Sequence, residues 1–100
     1  MTQYIDLHYN EYLSIDNIAQ HFNISTGYLS RYFKSHLNVT VKEYLIAVRL
    51  KKARQDVLFS NYTILEIAYL LGFPNLKSFI NAFKKVYHET PAKYREKVRK

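Results

Sequence analysis

Apolar side chains recur at spacings of three and four along almost the whole chain. That rhythm belongs to helices that each bury one face. Seven helices are predicted, with start and stop signals at most boundaries. The first covers about Thr2 to Tyr12. The second opens at Ser14 and turns Ile15, Ile18, Ala19 and Phe22 inward. The third opens at Ser25 and runs to about Leu37. The fourth is long, from about Val41 to Phe59, and its start, Thr40-Val-Lys-Glu43, has the form of a capping box. In such a box the threonine oxygen accepts the amide three residues on, and the glutamate reaches back. The fifth starts with a second box, Thr63-Ile-Leu-Glu66, buries Ile64, Ile67, Ala68 and Leu71, and ends at Gly72. The sixth opens at Asn75 and runs to about His88. The last begins at Thr90 with Pro91 in the first helical position, where a missing N–H does no harm.

Two segments resemble each other. Ile15 to Lys34 reads IDNIAQHFNISTGYLSRYFK, and Ile64 to Lys84 reads ILEIAYLLGFPNLKSFINAFK. Ile18-Ala19 matches Ile67-Ala68, Phe22 matches Leu71, and Asn23-Ile24 matches Gly72-Phe73. After one inserted residue, taken as Pro74, Leu29 matches Phe79 and Phe33-Lys34 matches Phe83-Lys84. Asn23 and Gly72 both tolerate the left-handed backbone that a tight interhelical turn demands. Each unit is a short helix, a tight turn and a second helix held by two apolar residues four apart. That is the helix-turn-helix pattern. One copy is a modest signal, because any small helical bundle can mimic it. Two copies joined by a long helix are far more specific. The expected fold is therefore all-α: a first helix-turn-helix subdomain over residues 1–39, a linker helix over 40–59, and a second subdomain over 60–100, built of homeodomain-like units.

In the third helix, Leu29 and Phe33 define the inward face. The opposite stripe is Thr26, Gly27, Ser30, Arg31 and Lys34. In the sixth, Phe79 and Phe83 face inward with Val86 following, and the outer stripe is Leu76, Lys77, Ile80, Asn81 and Lys84. Neither stripe holds an acidic residue, which suits a surface pressed against phosphates. A major groove accepts a helix whose leading residues reach base edges. On that reading Arg31 donates twice to guanine, Asn81 pairs both ways with adenine, and Ser30 donates or accepts. Leu76 and Ile80 touch thymine methyls, and Lys77 reaches a guanine or a phosphate. Lys34 and Lys84, further along, contact phosphates, as do Ser25, Thr26 and Asn75 at the leading ends. Each residue has a plainer reading as well. The lysines and Arg31 are ordinary solvated charges taken one at a time, and Leu76 and Ile80 are more often core residues. Gly27 inside a helix costs about 1 kcal/mol against alanine, either for close approach to DNA or as a tolerated defect. What favours the DNA reading is that both stripes recur at equivalent positions, not any one residue.

Composition narrows the choice. One hundred residues with 48% hydrophobic side chains suit one compact domain rather than a disordered tail. The formal net charge of +7 points towards a polyanion, though a solvated basic surface has the same composition. Cysteine is absent, so disulfides and thiolate metal sites are excluded, and a reducing cytoplasm fits. The N-terminus lacks a signal-peptide pattern, and no apolar run approaches the roughly 20 residues of a membrane span. His8, His21, His36 and His88 are scattered without metal-ligand spacing. No glycine-rich phosphate loop and no nucleophilic constellation occurs. No cofactor and no catalysis are expected. The ten tyrosines read as amphipathic core-edge residues rather than base-stacking platforms.

The chain resembles the DNA-binding domain of the AraC/XylS family of bacterial transcription regulators over about residues 2–96. The matching stretches are Ser25-Thr-Gly-Tyr-Leu-Ser-Arg-Tyr-Phe-Lys34, Tyr44-Leu45, Arg49-Leu50 and Ala53-Arg54. A more specific set follows: Ile64, Glu66-Ile67-Ala68, Gly72-Phe73, Phe79, Phe83-Lys84-Lys85, Thr90-Pro91 and Tyr94-Arg95. The resemblance implies that the third and sixth helices enter successive major grooves on one face of double-stranded DNA. It implies base contacts at Gly27, Ser30 and Arg31 in the first unit and at Leu76, Lys77 and Asn81 in the second. It further implies promoter control, usually activation through RNA polymerase, and a separate effector-binding or dimerisation domain, which this sequence does not include. The chain departs from the family pattern at Ser78-Phe79 and Asn81, where a Tyr-Phe pair and an arginine are common. Whether the second unit reads bases or anchors on phosphates stays open at this point. The competing class is a helical protein-interaction module for an acidic partner, for which duplicated acid-free stripes serve no purpose.

Overall fold

In a computed structural model, which describes residues 1–11 and 13–99, the chain folds into helices with no strand among the described residues. The order is α1 (Thr2–His8), α2 (Ile15–His21), α3 (Thr26–Leu37), α4 (Val41–Phe59), α5 (Ile64–Leu70), α6 (Leu76–Tyr87) and α7 (Pro91–Val98). None of them is long and apolar enough to cross a membrane.

The helix starts follow local side-chain chemistry. Ser14, Ser25, Asn75 and Thr90 accept the amides of Asn17, Tyr28, Ser78 and Lys93. Both expected capping boxes form in full, Thr40 with Glu43 and Thr63 with Glu66. Each box uses a charged glutamate. The backbone amide of Thr40 holds the Glu43 carboxyl below its ordinary value of 4.5, its hydroxyl adds to the effect, and Thr63 acts likewise on Glu66. A carboxyl depressed in the folded state contributes stability that is present above 4.5 and is lost as pH falls through the lowered value. Glu43→Gln and Glu66→Gln should therefore melt below the parent near neutral pH and converge with it in acid. Melting curves offset equally at both pH values would show that the charge contributes nothing.

The turns bear out the left-handed expectation, with φ of 56° at Asn23 and 85° at Gly72. Two further residues adopt it without being foreseen: Asn38 (φ 58°) ends α3 and His88 (φ 68°) ends α6. They lie at equivalent places, so the repeat extends beyond the matching segments. It also includes Tyr44 and Tyr94. The Tyr44 ring meets Phe33 edge-on at 5.7 Å between centroids, and the Tyr94 ring meets Phe83 edge-on at 5.4 Å.

The core has two parts. Ile5, Ile18, Ala19, Leu29, Phe33, Val41 and Leu45 form the first. Leu50, Ala53, Val57, Ile67, Ala68, Leu71, Phe73, Phe79 and Phe83 form the second. The long helix α4 thus gives its first turns to one core and its later turns to the other. Ile15 and Phe22 pack at the edge of the first and Ile64 at the edge of the second, each partly buried. At the far end of α4, Arg95 of α7 donates from Nε to the Val57 carbonyl at 2.9 Å and from Nη1 to the Tyr62 carbonyl at 2.6 Å. Arg99 adds hydrogen bonds to the Leu58 and Ser60 carbonyls. These arginines satisfy carbonyls that a helix end leaves without partners.

Two expectations need correction. The first helix ends at His8 rather than near Tyr12 (Tyr12 itself lies outside the described residues). The carbonyls of Tyr9 and Glu11 instead accept hydrogen bonds from the distant Arg49 side chain. Val86 does not follow Phe79 and Phe83 inward but is 51% exposed. Tyr87 takes that place, because α7 packs on its side: its ring lies 4.6 Å from Phe83 and 5.8 Å from Tyr94.

Candidate nucleic-acid interface

Helices α3 and α6 are oriented by the same device. Leu29 and Phe33 are fully buried, as are Phe79 and Phe83. Anchoring two residues four apart fixes the rotation of a helix about its axis. The stripes opposite those anchors are then forced outward. Ser25, Thr26, Gly27, Ser30, Arg31 and Lys34 are exposed, and so are Asn75, Leu76, Lys77, Asn81 and Lys84. Ile80 is only partly so, at the margin between the outer stripe and the core.

A groove of about 930 Å³ runs between the units, and its walls include Ser30 and Lys34 from α3 and Ser78 and Asn81 from α6. Gly27, Arg31, Leu76, Lys77 and Ile80 are not among the groove's lining residues. The floor is largely apolar, with Leu45 and Ile46 of α4 and Phe73 at the turn before α6. Among the described residues, Lys34, Lys42 and Arg49 border the groove and no carboxylate does. The ion pairs among the described residues are Lys52–Asp56 and Lys97–Glu89, and the His8 ring lies within hydrogen-bond distance of the Glu11 carboxylate. None of them engages Arg31, Lys34, Lys77 or Lys84, so the stripe cations face outward uncompensated by a close ion pair.

Within α3, Arg31 folds back along its own helix. A Cβ on Gly27 would stand 3.3 Å from Arg31 Nη1. The glycine therefore leaves room for the guanidinium one turn earlier, in addition to opening the helix surface. Lys42, Ser78 and Arg49 were not singled out as site residues from the sequence. Ser78 is partly buried on the flank of α6, next to the core residue Phe79, and only the placement of α3 across the groove makes its position visible. Among the described residues, no group of His, Asp and Glu side chains could hold a metal ion.

Residues 18–97 match the family described as a helix-turn-helix domain. An uncharacterized helix-turn-helix-type transcriptional regulator of Staphylococcus aureus strain MSSA476 is 35% identical over 92 residues, which are 92% of this chain and 12% of that protein. The Msm operon regulatory protein of Streptococcus mutans is 31% identical over 90 residues, 90% of this chain and 32% of its own length. This chain therefore spans only a minor part of both relatives. Among solved structures, the C-terminal domain of AraT, a response regulator from Geobacillus stearothermophilus, is similar with a TM-score of 0.92. Its identity is 33%, and the match covers 96% of this chain and 80% of that one. The DNA-binding domain of AdpA, solved with a target DNA, shares the fold with a TM-score of 0.92 at 24% identity, over 97% of this chain and 87% of that one.

Proposed function

Because this chain belongs to the helix-turn-helix family of the AraC/XylS type, we propose that it binds specific double-stranded DNA sites and that this binding regulates transcription. One observation carries the reading: the stripes of α3 and α6 are acid-free and exposed apart from the partly buried Ile80, and Ser30 and Lys34 of one and Asn81 of the other line a common groove. The long dimension of the molecule is 48 Å, enough for two helices to enter major grooves one turn, or roughly 34 Å, apart. In this reading Gly27, Ser30 and Arg31 meet bases in one groove, and Leu76, Lys77, Ile80 and Asn81 meet bases in the next. Ser25, Thr26, Lys34, Asn75 and Lys84 hold phosphates and set the register. Leu76 and the partly exposed edge of Ile80 suit thymine methyls, while Asn81 suits adenine. RNA polymerase is the further partner this reading takes for the promoter-bound regulator, and the cytoplasm its place of action.

Selection of bound sequences from a random duplex library tests the proposal. Two short preferred elements about one helical turn apart are expected. A single element would reduce α6 to an anchor, and no preferred element at all would end the reading. Arg31→Ala should cost about 1–3 kcal/mol on the selected site and relax discrimination at one base pair. An unchanged ratio between selected and scrambled duplexes would remove Arg31 from base reading.

A further inference from the structure

We infer that Arg49 is a positioning residue that locks the two helix-turn-helix units at one mutual orientation, and thereby sets the spacing of the DNA elements they accept together. The consequence for spacing rests on the DNA reading above; the lock rests on geometry alone.

Arg49 is 7% exposed, in the middle of α4, between Leu45 of the first core and Leu50 of the second. Its Nε donates to the Tyr9 carbonyl at 2.7 Å and its Nη2 to the Glu11 carbonyl at 3.0 Å. Both acceptors lie in the segment after α1, within the first unit. Its other side meets the second unit. The guanidinium carbon stands 5.7 Å from the centroid of the Phe73 ring, near enough for a cation–π contact. Gly72, in the turn between α5 and α6, is pressed in as well. A Cβ there would lie 3.1 Å from Arg49 Nη2 and 3.0 Å from the Asn10 backbone. Tyr9 packs against both cores.

This clasp matters because, among the described residues, no well-packed pair of helices joins α1–α3 directly to α5–α7. The main packing of α1, α2 and α3 runs among themselves and onto α4, and that of α5, α6 and α7 does the same. A helix alone is a compliant connector, since long helices curve readily. The clasp adds a second, offset attachment, which resists bending. Burial pushes the Arg49 guanidinium below its ordinary value, yet arginine keeps its charge in proteins. Carbonyls on one side and a ring face on the other compensate it. Lysine cannot reproduce this, because a point charge lacks the planar fork that meets two carbonyls at once.

The chain has no cysteine, so Ser35→Cys and Lys93→Cys, at exposed positions of α3 and α7, accept one spin label in each unit. Pulsed electron resonance then reads the distribution of distances between units. The parent should give one narrow distribution, and Arg49→Lys one at least about twice as wide with cooperative melting retained. Phe73→Leu keeps apolar bulk and removes the ring beneath the guanidinium, so it should broaden the distribution less. A broad distribution in the parent, or parental width in folded Arg49→Lys, overturns the lock. If Arg49→Lys does not fold, parental width in Phe73→Leu overturns it. On duplexes carrying the two selected elements at stepped separations, the parent should prefer one spacing by about tenfold or more and Arg49→Lys by about threefold or less. Parental preference in Arg49→Lys refutes the spacing claim. A parent indifferent to spacing refutes the two-groove reading and takes the spacing claim with it, while the label distances still decide the lock.

Discussion

Replacing Phe83 by alanine is expected to lower the stability of the domain by about 3–5 kcal/mol, the cost of truncating a fully buried phenylalanine. Phe83 has no exposed surface. Its ring meets Phe79 edge-on at 5.9 Å, Tyr94 edge-on at 5.4 Å and Tyr87 at 4.6 Å. Such pairs add stability beyond the apolar area they bury, so the upper part of the range is expected. Phe33→Ala should cost the same order, towards the lower end, because its ring neighbours among the described residues are Tyr44 at 5.7 Å and Tyr32 at 6.2 Å. For a domain of this size such a loss is about a fifth or more of a typical total of 5–15 kcal/mol. The damage should also be regional. Phe83 belongs to the core built on α5, α6 and the later turns of α4, Phe33 to the core built on α1 to α3 and the first turns of α4. Denaturant titration measures the loss, and amide exchange should place the loosening of Phe83→Ala in α5 to α7. A change under about 1 kcal/mol at either position would mean that the inward face of that helix is wrongly assigned, and its outward stripe with it.

The same residues explain what could be read in the sequence. Caps form between residues three apart, so Ser14, Ser25, Thr40, Thr63, Asn75 and Thr90 announce their helices directly. The rotational phase of α3 and α6 was legible because Phe33 and Phe83 each sit four residues after another buried apolar side chain. Asn23 and Gly72 were legible because few residue types suit a left-handed turn. Tertiary contacts left no comparable trace. Arg49 reaches carbonyls 40 and 38 residues away, and nothing near it in the chain signals those acceptors. The early end of α1 has the same origin, since Arg49 takes the Tyr9 and Glu11 carbonyls. Val86 and Tyr87 are adjacent and both apolar enough for a core. Which one turned inward depended on where α7 lay, and spacing along α6 cannot tell that. Lys42 and Ser78 were missed in the same way, because the groove exists only once α3 and α6 are set on either side of α4.

Affinity for the selected duplex should fall roughly a hundredfold when salt rises fourfold, from about 50 to about 200 mM. The cations on the outward stripes are Arg31, Lys34, Lys77 and Lys84. If each, whether it lies on a base edge or on a phosphate, displaces one counterion from the duplex, the slope of log affinity on log salt is about −0.9 per cation, or near −3.6 in all. The formal charge of +7 does not enter this slope as a whole, because Arg95 and Arg99 face carbonyls at the end of α4 and Arg49 is buried between the units. Composition would thus overstate the salt dependence, and geometry corrects it. Lys34→Ala and Lys84→Ala should each reduce the slope by about one and weaken all sequences about equally, as phosphate contacts do. Arg31→Ala should instead act mainly on the preferred sequence. A slope near −1, or one unmoved by either lysine substitution, would mean that phosphates are held by other residues and that the paired stripes do not lie along the DNA.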